Sequence, residues 1–247
     1  MRCIVKALKT VNYRLWFAIL ATMLLPTVYQ TVRIFFLGDM PSDSGINIAS
    51  QLQWVNLFYE VVQEALILPL FFLLGKSLGD RKEFANKVRT GLTATAVVYA
   101  VVSVIIISCA RPLVLFMAQD GALIDATVTY IRLETVAALF STLWRFMMTV
   151  LVTLKKDRYL YIVLGVQMGL SVLLDTFLVS NLSVSAKLGV NGIAITNITV
   201  NALILICAVF LLQRENIRLF SKEKWNFAWL KELSLIHISE PTRHAQI

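Results

Sequence analysis

The sequence is poor in the residues that most soluble enzymes use for chemistry. No histidine occurs before His237, so the body of the chain holds neither an H-E-x-x-H zinc motif nor a His-based triad. G-x-S-x-G occurs once, as GKSLG at 75–79, but with no histidine in the body of the chain to activate Ser77 an intramembrane hydrolase is left without support. Three cysteines, Cys3, Cys109 and Cys207, have no C-x-x-C spacing, so neither a disulfide framework nor a thiolate metal site is implied. The triplet Gly75–Lys76–Ser77 lacks the earlier glycine of a phosphate-binding loop. Charged residues are scarce, at 15% of the chain, and they cluster between apolar runs.

Those runs dominate what is present. The chain of 247 residues is 58% hydrophobic, with a mean hydropathy of +0.74. A soluble domain of this length is less apolar. Six runs, at about 15–37, 46–74, 90–109, 126–154, 159–179 and 190–212, are long enough to span. Each supplies roughly 20 residues or more, which matches a hydrocarbon core about 30 Å thick. Lipid offers no partner to backbone N–H and C=O groups, so the spans must be helices; the period-2 pattern of a membrane barrel is missing. The expected fold is an all-α membrane protein with six transmembrane helices.

The net charge of +8 is a matter of position. Alternate connections carry seventeen Lys and Arg residues on one side and two, Arg111 and Lys187, on the other. The positive-inside rule then places both termini in the cytoplasm. Basic residues divided among short loops, without aromatic platforms, exclude a nucleic-acid partner. The expected layout is a cytoplasmic segment at 1–14, a six-helix lobe at 15–212 and a second cytoplasmic segment at 213–232. Residues 233–243 resemble an in-frame translation of a transposase adapter from sequencing libraries. The stretch 233–247 is therefore expected to be artefactual and set aside.

Ionisable residues inside spans carry the functional signal. A charge at the bilayer centre costs about 2.5–3.5 kcal/mol on insertion scales, so such groups face the bundle interior or water. Seven occur here: Arg33, Arg132, Arg145, Glu60, Glu64, Glu134 and Asp175. On span two, Gln53, Asn56, Glu60, Gln63 and Glu64 recur at helical spacing; Gln167, Ser171 and Asp175 do so on span five. Glu134, Ser141 and Arg145 share a face of span four, and Asn197 and Asn201 share one of span six. Depth predicts an outer cluster of Arg33, Asp175 and Glu134 and a middle cluster of Glu60, Glu64 and Arg145. Arg132 is close enough to the surface to snorkel. Glu60 and Glu64, about 6 Å apart at i, i+4, resist double ionisation, as proton or cation exchange requires. The alternative is that these charges only glue helices together. Gly165 and Gly169 form G-x-x-x-G, which predicts a close helix contact.

The order of these features resembles the N-terminal lobe of the multidrug and toxic compound extrusion (MATE) transporters. Span one ends VYQTVRIFFLG (28–38); span two closes with the basic loop GKSLGDRKEFANKVRTGL (75–92). Span four opens TYIRLE (129–134), span five carries SVLLDTFLV (171–179) and span six begins LGVNGIAIT (188–196). The resemblance covers about residues 10–232. It implies one lobe of a twelve-helix antiporter exporting small organic cations in exchange for Na+ or H+, with no cofactor or bound metal. It also implies membrane lipids and a C-terminal lobe as partners, and a bacterial inner membrane as the location. Residues 216–232 look like the start of an inter-lobe linker. Many members carry an aspartate in span one where this sequence has Arg33, while the span-five aspartate is retained as Asp175. The resemblance thus implies a cation site half replaced by a fixed positive charge, with coupling shifted to Glu60 and Glu64. A lipid-linked sugar flippase of the same superfamily and a non-transporting scaffold are the alternative readings.

Overall fold

The computed structural model describes residues 13–38, 44–217, 219 and 225–230. The cytoplasmic segment expected at 1–14 (but for Tyr13 and Arg14), part of the linker and the stretch 233–247 lie outside the described residues. Six long helices follow in order: α1 Tyr13–Gly38, α2 Ser44–Lys76, α3 Arg81–Phe116, α4 Ile124–Thr153, α5 Arg158–Leu178 and α6 Gly189–Arg214. A short 3-10 turn, Gly121–Leu123, leads into α4. No strand occurs among the described residues. Five of the helices, α2 to α6, are long and apolar enough to cross a membrane.

The helices match the expected runs to within a few residues, with one exception. α3 starts at Arg81, nine residues before the expected 90. Apolar content marks only the lipid-embedded part of a helix, whereas its start is set by a cap. Asp80 supplies it: its side chain accepts hydrogen bonds from the backbone N–H groups of Lys82 and Glu83. At about 1.5 Å per residue, α3 is roughly 54 Å long, so its basic first turns extend past the hydrocarbon. Its apolar residues Val97, Val101, Val104 and Ile105 are exposed, as a lipid-facing helix requires.

α4 is the axis of the lobe. It packs most extensively along α6 and α3 and also meets α2 and α5; α5 in turn packs on α6 and α1. Half of the apolar window of α4 is buried, more than in the other four spans. Such a helix can carry hydroxyls only if they are satisfied. Thr135, Thr142, Thr149 and Thr153 each donate to the carbonyl four residues back. Between helices, Trp144 Nε1 donates to Asn201 Oδ1 at 3.0 Å, tying α4 to α6. Tyr99 donates to the Tyr59 carbonyl at 3.2 Å and stacks on the Tyr59 ring, tying α3 to α2.

Glycine is required at one tight crossing. After α5 the chain returns through bonds from Ala186 N to Phe177 O and Leu188 N to Leu178 O. A Cβ on Gly192 would lie 2.9 Å from Leu178 O and 3.0 Å from Val179 Cγ2. The G-x-x-x-G expectation fails in contrast. Among the described residues nothing lies within 4 Å of a Cβ built on Gly165 or Gly169. The two glycines line an open groove on α5 instead of a helix crossing. The motif permits close approach, but α5 turns its other face, Ser171 and Asp175, inward.

Apolar packing is uneven along the lobe. At the end bearing the basic connections, Leu70, Leu73 and Leu74 of α2 interlock with Phe84 and Val88 of α3, Phe146 and Leu151 of α4, and Leu212 of α6. A second cluster at the opposite end centres on Leu52, Tyr99, Ile106, Val114, Ile131 and Ile193. Beside that second cluster the helices part.

Candidate functional site

A cavity of about 660 Å3 opens between α1, α2, α4, α5 and α6. It runs from Leu37 and Ile46, near the sparsely charged end, to Arg145 and Gln167 near mid-span. α2 contributes Gln53, Asn56, Glu60 and Gln63; α4 contributes Glu134, Ser141 and Arg145; α6 contributes Asn197 and Asn201. Arg33 of α1 and Gln167 of α5 complete the polar wall. The cavity thus gathers these polar groups on one surface between helices, where intramembrane charges and amides are tolerated.

Four helices meet in one hydrogen-bonded chain at the cavity wall. Arg33 Nε donates to Asp175 Oδ2 at 3.0 Å, and Arg33 Nη2 lies 3.0 Å from the same oxygen. Nη2 also donates to Asn197 Oδ1 at 3.0 Å. Asn197 Nδ2 then donates to Glu134 Oε1 at 2.7 Å. The guanidinium sits over the Tyr29 ring, 4.6 Å from its centroid, and Tyr29 donates its hydroxyl to Asp175 Oδ2 at 3.2 Å. The planar fork of arginine presents separate N–H donors to a carboxylate and an amide at once, in a fixed geometry. Asp175 is 1% exposed, so its charge is met by Arg33 and not by solvent. The outer group of Arg33, Asp175 and Glu134 is therefore joined through Asn197.

The middle group is looser. Glu60 is exposed within the cavity and forms no ion pair among the described residues. Arg145 lines the same cavity, feels the charge of Glu60, and lies against the Trp144 ring. Glu64 does not join them: it is exposed and lies outside the cavity lining. A step of four residues overshoots the 3.6-residue turn by about 40°. From Glu60 that drift leaves Glu64 on the bearing of Ile46, Ser50 and Gln53, so its exclusion follows from its place farther along α2, beyond the end of the cavity lining on that side. Arg132 donates to the Ile107 carbonyl at 3.2 Å and is exposed.

Sequence reasoning passed over two tyrosines that belong to the site. Tyr29 stands four residues before Arg33, and Tyr130 four before Glu134; both line cavity walls. The i, i+4 spacing to a charged residue was the available signal. Asn201 is fixed by Trp144 and also donates to the Ala137 carbonyl at 3.4 Å. A second cavity of about 630 Å3 adjoins the first toward the basic end. It shares Gln63, Arg145, Gln167 and Asn197, and is otherwise walled by side chains such as Phe71, Trp144, Met148 and Tyr161. No cluster of three His, Cys, Asp or Glu side chains able to hold a metal ion occurs among the described residues.

No protein-family model matches the chain, and no curated protein matches its sequence. The architecture does have a counterpart among solved structures, described as "Crystal structure of MATE in complex with MaD3S". The superposition has a TM-score of 0.74 and covers 85% of this chain. The fold is MATE-like. Sequence identity is 13%, and the match takes in 48% of the solved chain, so this chain spans about half of that protein's length. The likeness is one of fold: a multi-pass helical lobe with its polar residues turned inward.

Proposed function

We propose that the chain forms one six-helix lobe of a secondary active efflux transporter, working by alternating access with a second lobe as partner. The observation that carries this reading is a cavity at membrane depth walled by Arg33, Glu60, Glu134 and Arg145. Intramembrane charges around a cavity mark substrate and ion pathways. The MATE-like fold supports the same reading. At about 660 Å3 the cavity suits a small organic molecule. Including Asp175 behind the wall, three carboxylates oppose two guanidinium groups, so the surplus favours an organic cation as cargo.

The coupling ion, Na+ or H+, meets a different set of groups. Asp175 already holds the fixed cation Arg33, so it is not free to exchange one. Glu60 is a carboxylate in the cavity wall with no ion-pair partner among the described residues, and coupling falls to it; Glu64, outside the cavity, has the lesser role. The test is export by the full protein in vesicles under separate Na+ and proton gradients. Glu60→Gln is expected to abolish gradient-driven export, whereas Glu64→Gln retains most of it. Normal export by Glu60→Gln at normal expression would favour a scaffold whose buried charges only specify helix pairing.

A further inference from the structure

The two cavities meet at a neck. Gln63 of α2, Arg145 of α4, Gln167 of α5 and Asn197 of α6 line both. On the side of Glu60 the walls are polar, whereas toward the basic end Phe71, Trp144, Met148 and Tyr161 make them largely apolar. Asn197 is already engaged by Arg33 and Glu134. Arg145 is not: its side chain is exposed to this space, and among the described residues it forms no ion pair and no side-chain hydrogen bond. Its guanidinium carbon lies 5.8 Å from the centroid of the Trp144 ring. That ring is itself held by the bond from Nε1 to Asn201 Oδ1 at 3.0 Å. The cation is therefore positioned against a fixed surface, with its N–H donors turned to neither a carboxylate nor a carbonyl.

Arg33 shows what an arginine that joins helices does: it bonds Asp175 and Asn197 together. Arg145, near mid-span, has no such partner, and α1 brings none, because no Asp or Glu occurs between Tyr13 and Gly38. An unpaired guanidinium at that depth is unfavourable, and such groups mark ligand or ion pathways. The planar fork of five N–H donors fits the two oxygens of a carboxylate. Glu60, on α2, likewise has no ion-pair partner among the described residues. Arg33 and Asp175 neutralise each other, and Glu134 accepts from Asn197. Among the described residues, the charged side chains left unengaged in the cavity wall are thus one of each sign.

We infer that the cargo is a small zwitterion on an apolar body: its carboxylate takes the fork of Arg145, its ammonium meets Glu60, and its apolar arm enters the cavity lined by Phe71, Met148 and Tyr161. This rests on the transport reading above and narrows the organic cation of that reading to one that also carries a carboxylate. Gln63 and Gln167 supply further amide donors and acceptors at the neck. Cavities of about 660 and 630 Å3 are each of small-molecule size. A cargo carrying both signs leaves neither Arg145 nor Glu60 uncompensated once the site is filled and water is excluded.

Equilibrium binding of matched dansyl probes to the purified full protein in lipid nanodiscs tests this. The zwitterion is ε-dansyl-L-lysine; its primary amide keeps the ammonium and lacks the carboxylate. Dansyl emission, corrected for empty nanodiscs, reports entry into the apolar cavity. A charge-assisted contact to a guanidinium corresponds to roughly ten- to hundredfold in affinity, and the zwitterion is expected to bind more tightly than the amide by that factor. Arg145→Gln is expected to bring the ratio to about one, and Arg145→Lys to keep part of it, since an ammonium retains the charge without the planar fork. A wild-type protein that binds the zwitterion no better than the amide overturns the inference, and this comparison decides even where Arg145→Gln does not fold. A ratio that survives intact in Arg145→Gln overturns it equally. Gradient-driven export of both probes from vesicles is measured separately. A ratio near one with the amide exported sinks the inference and spares the transport reading. Arg145-dependent selectivity without export of either probe leaves the zwitterion site standing and removes the transport reading.

Discussion

Replacing Arg33 by alanine tests the physical centre of the site. Arg33 is the cation that meets the carboxylate of Asp175, itself 1% exposed, and it also bonds Asn197, which holds Glu134. Alanine removes two charge-assisted bonds and leaves a buried carboxylate facing a void. Breaking one side of a buried ion pair costs roughly 3–5 kcal/mol. The Arg33 side chain is 17% exposed, which permits some solvent relief and favours the lower bound, about 3 kcal/mol. Arg33→Lys is expected to fall between, since an ammonium keeps the charge but has one nitrogen where the guanidinium sets separate donors on carboxylate and amide. In the double variant Arg33→Ala/Asp175→Asn the uncompensated charge is gone, so much of the loss is recovered, with a coupling of about 2 kcal/mol. Reversible SDS-titrated unfolding of the purified chain in mixed micelles, followed by helical circular dichroism, measures the wild type, Arg33→Ala, Arg33→Lys, Asp175→Asn and the double variant. A cost for Arg33→Ala below about 1 kcal/mol, with the two substitutions additive, is how an exposed pair behaves. That result would refute the claim that the pair is a buried link between α1 and α5.

Two further predictions concern the scaffold. Gly192→Ala forces a methyl against the Leu178 carbonyl at 2.9 Å, and backbone cannot move aside as a side chain can. The expected loss is about 1–3 kcal/mol in the same unfolding assay, and an unchanged stability would mean that the α5–α6 crossing is looser than the geometry implies. Asp80→Ala removes both side-chain bonds at the start of α3 and is expected to cost about 0.5–2 kcal/mol. Amide hydrogen exchange at Lys82 and Glu83 should quicken in that variant while residues near mid-helix keep their protection.

The sequence by itself determined that the chain is helical, that it crosses a bilayer repeatedly, and which polar residues must turn inward. Hydrocarbon is an unforgiving solvent, and a run of roughly 20 apolar residues has no other stable form in it. For the same reason Arg33, Glu134 and Asp175 could be grouped from depth alone. Tertiary structure decided what depends on rotation about helix axes and on contacts across them. It joined Arg33 to Glu134 through Asn197 and left Glu64 outside the cavity that Glu60 lines. It left Gly165 and Gly169 beside an open groove and seated Trp229 under α3. Spacing along one helix specifies a face to within about 40°, but only the neighbouring helices determine which edge of that face is covered. The polar groups are therefore legible one span at a time, while their pairing is a property of the packed bundle.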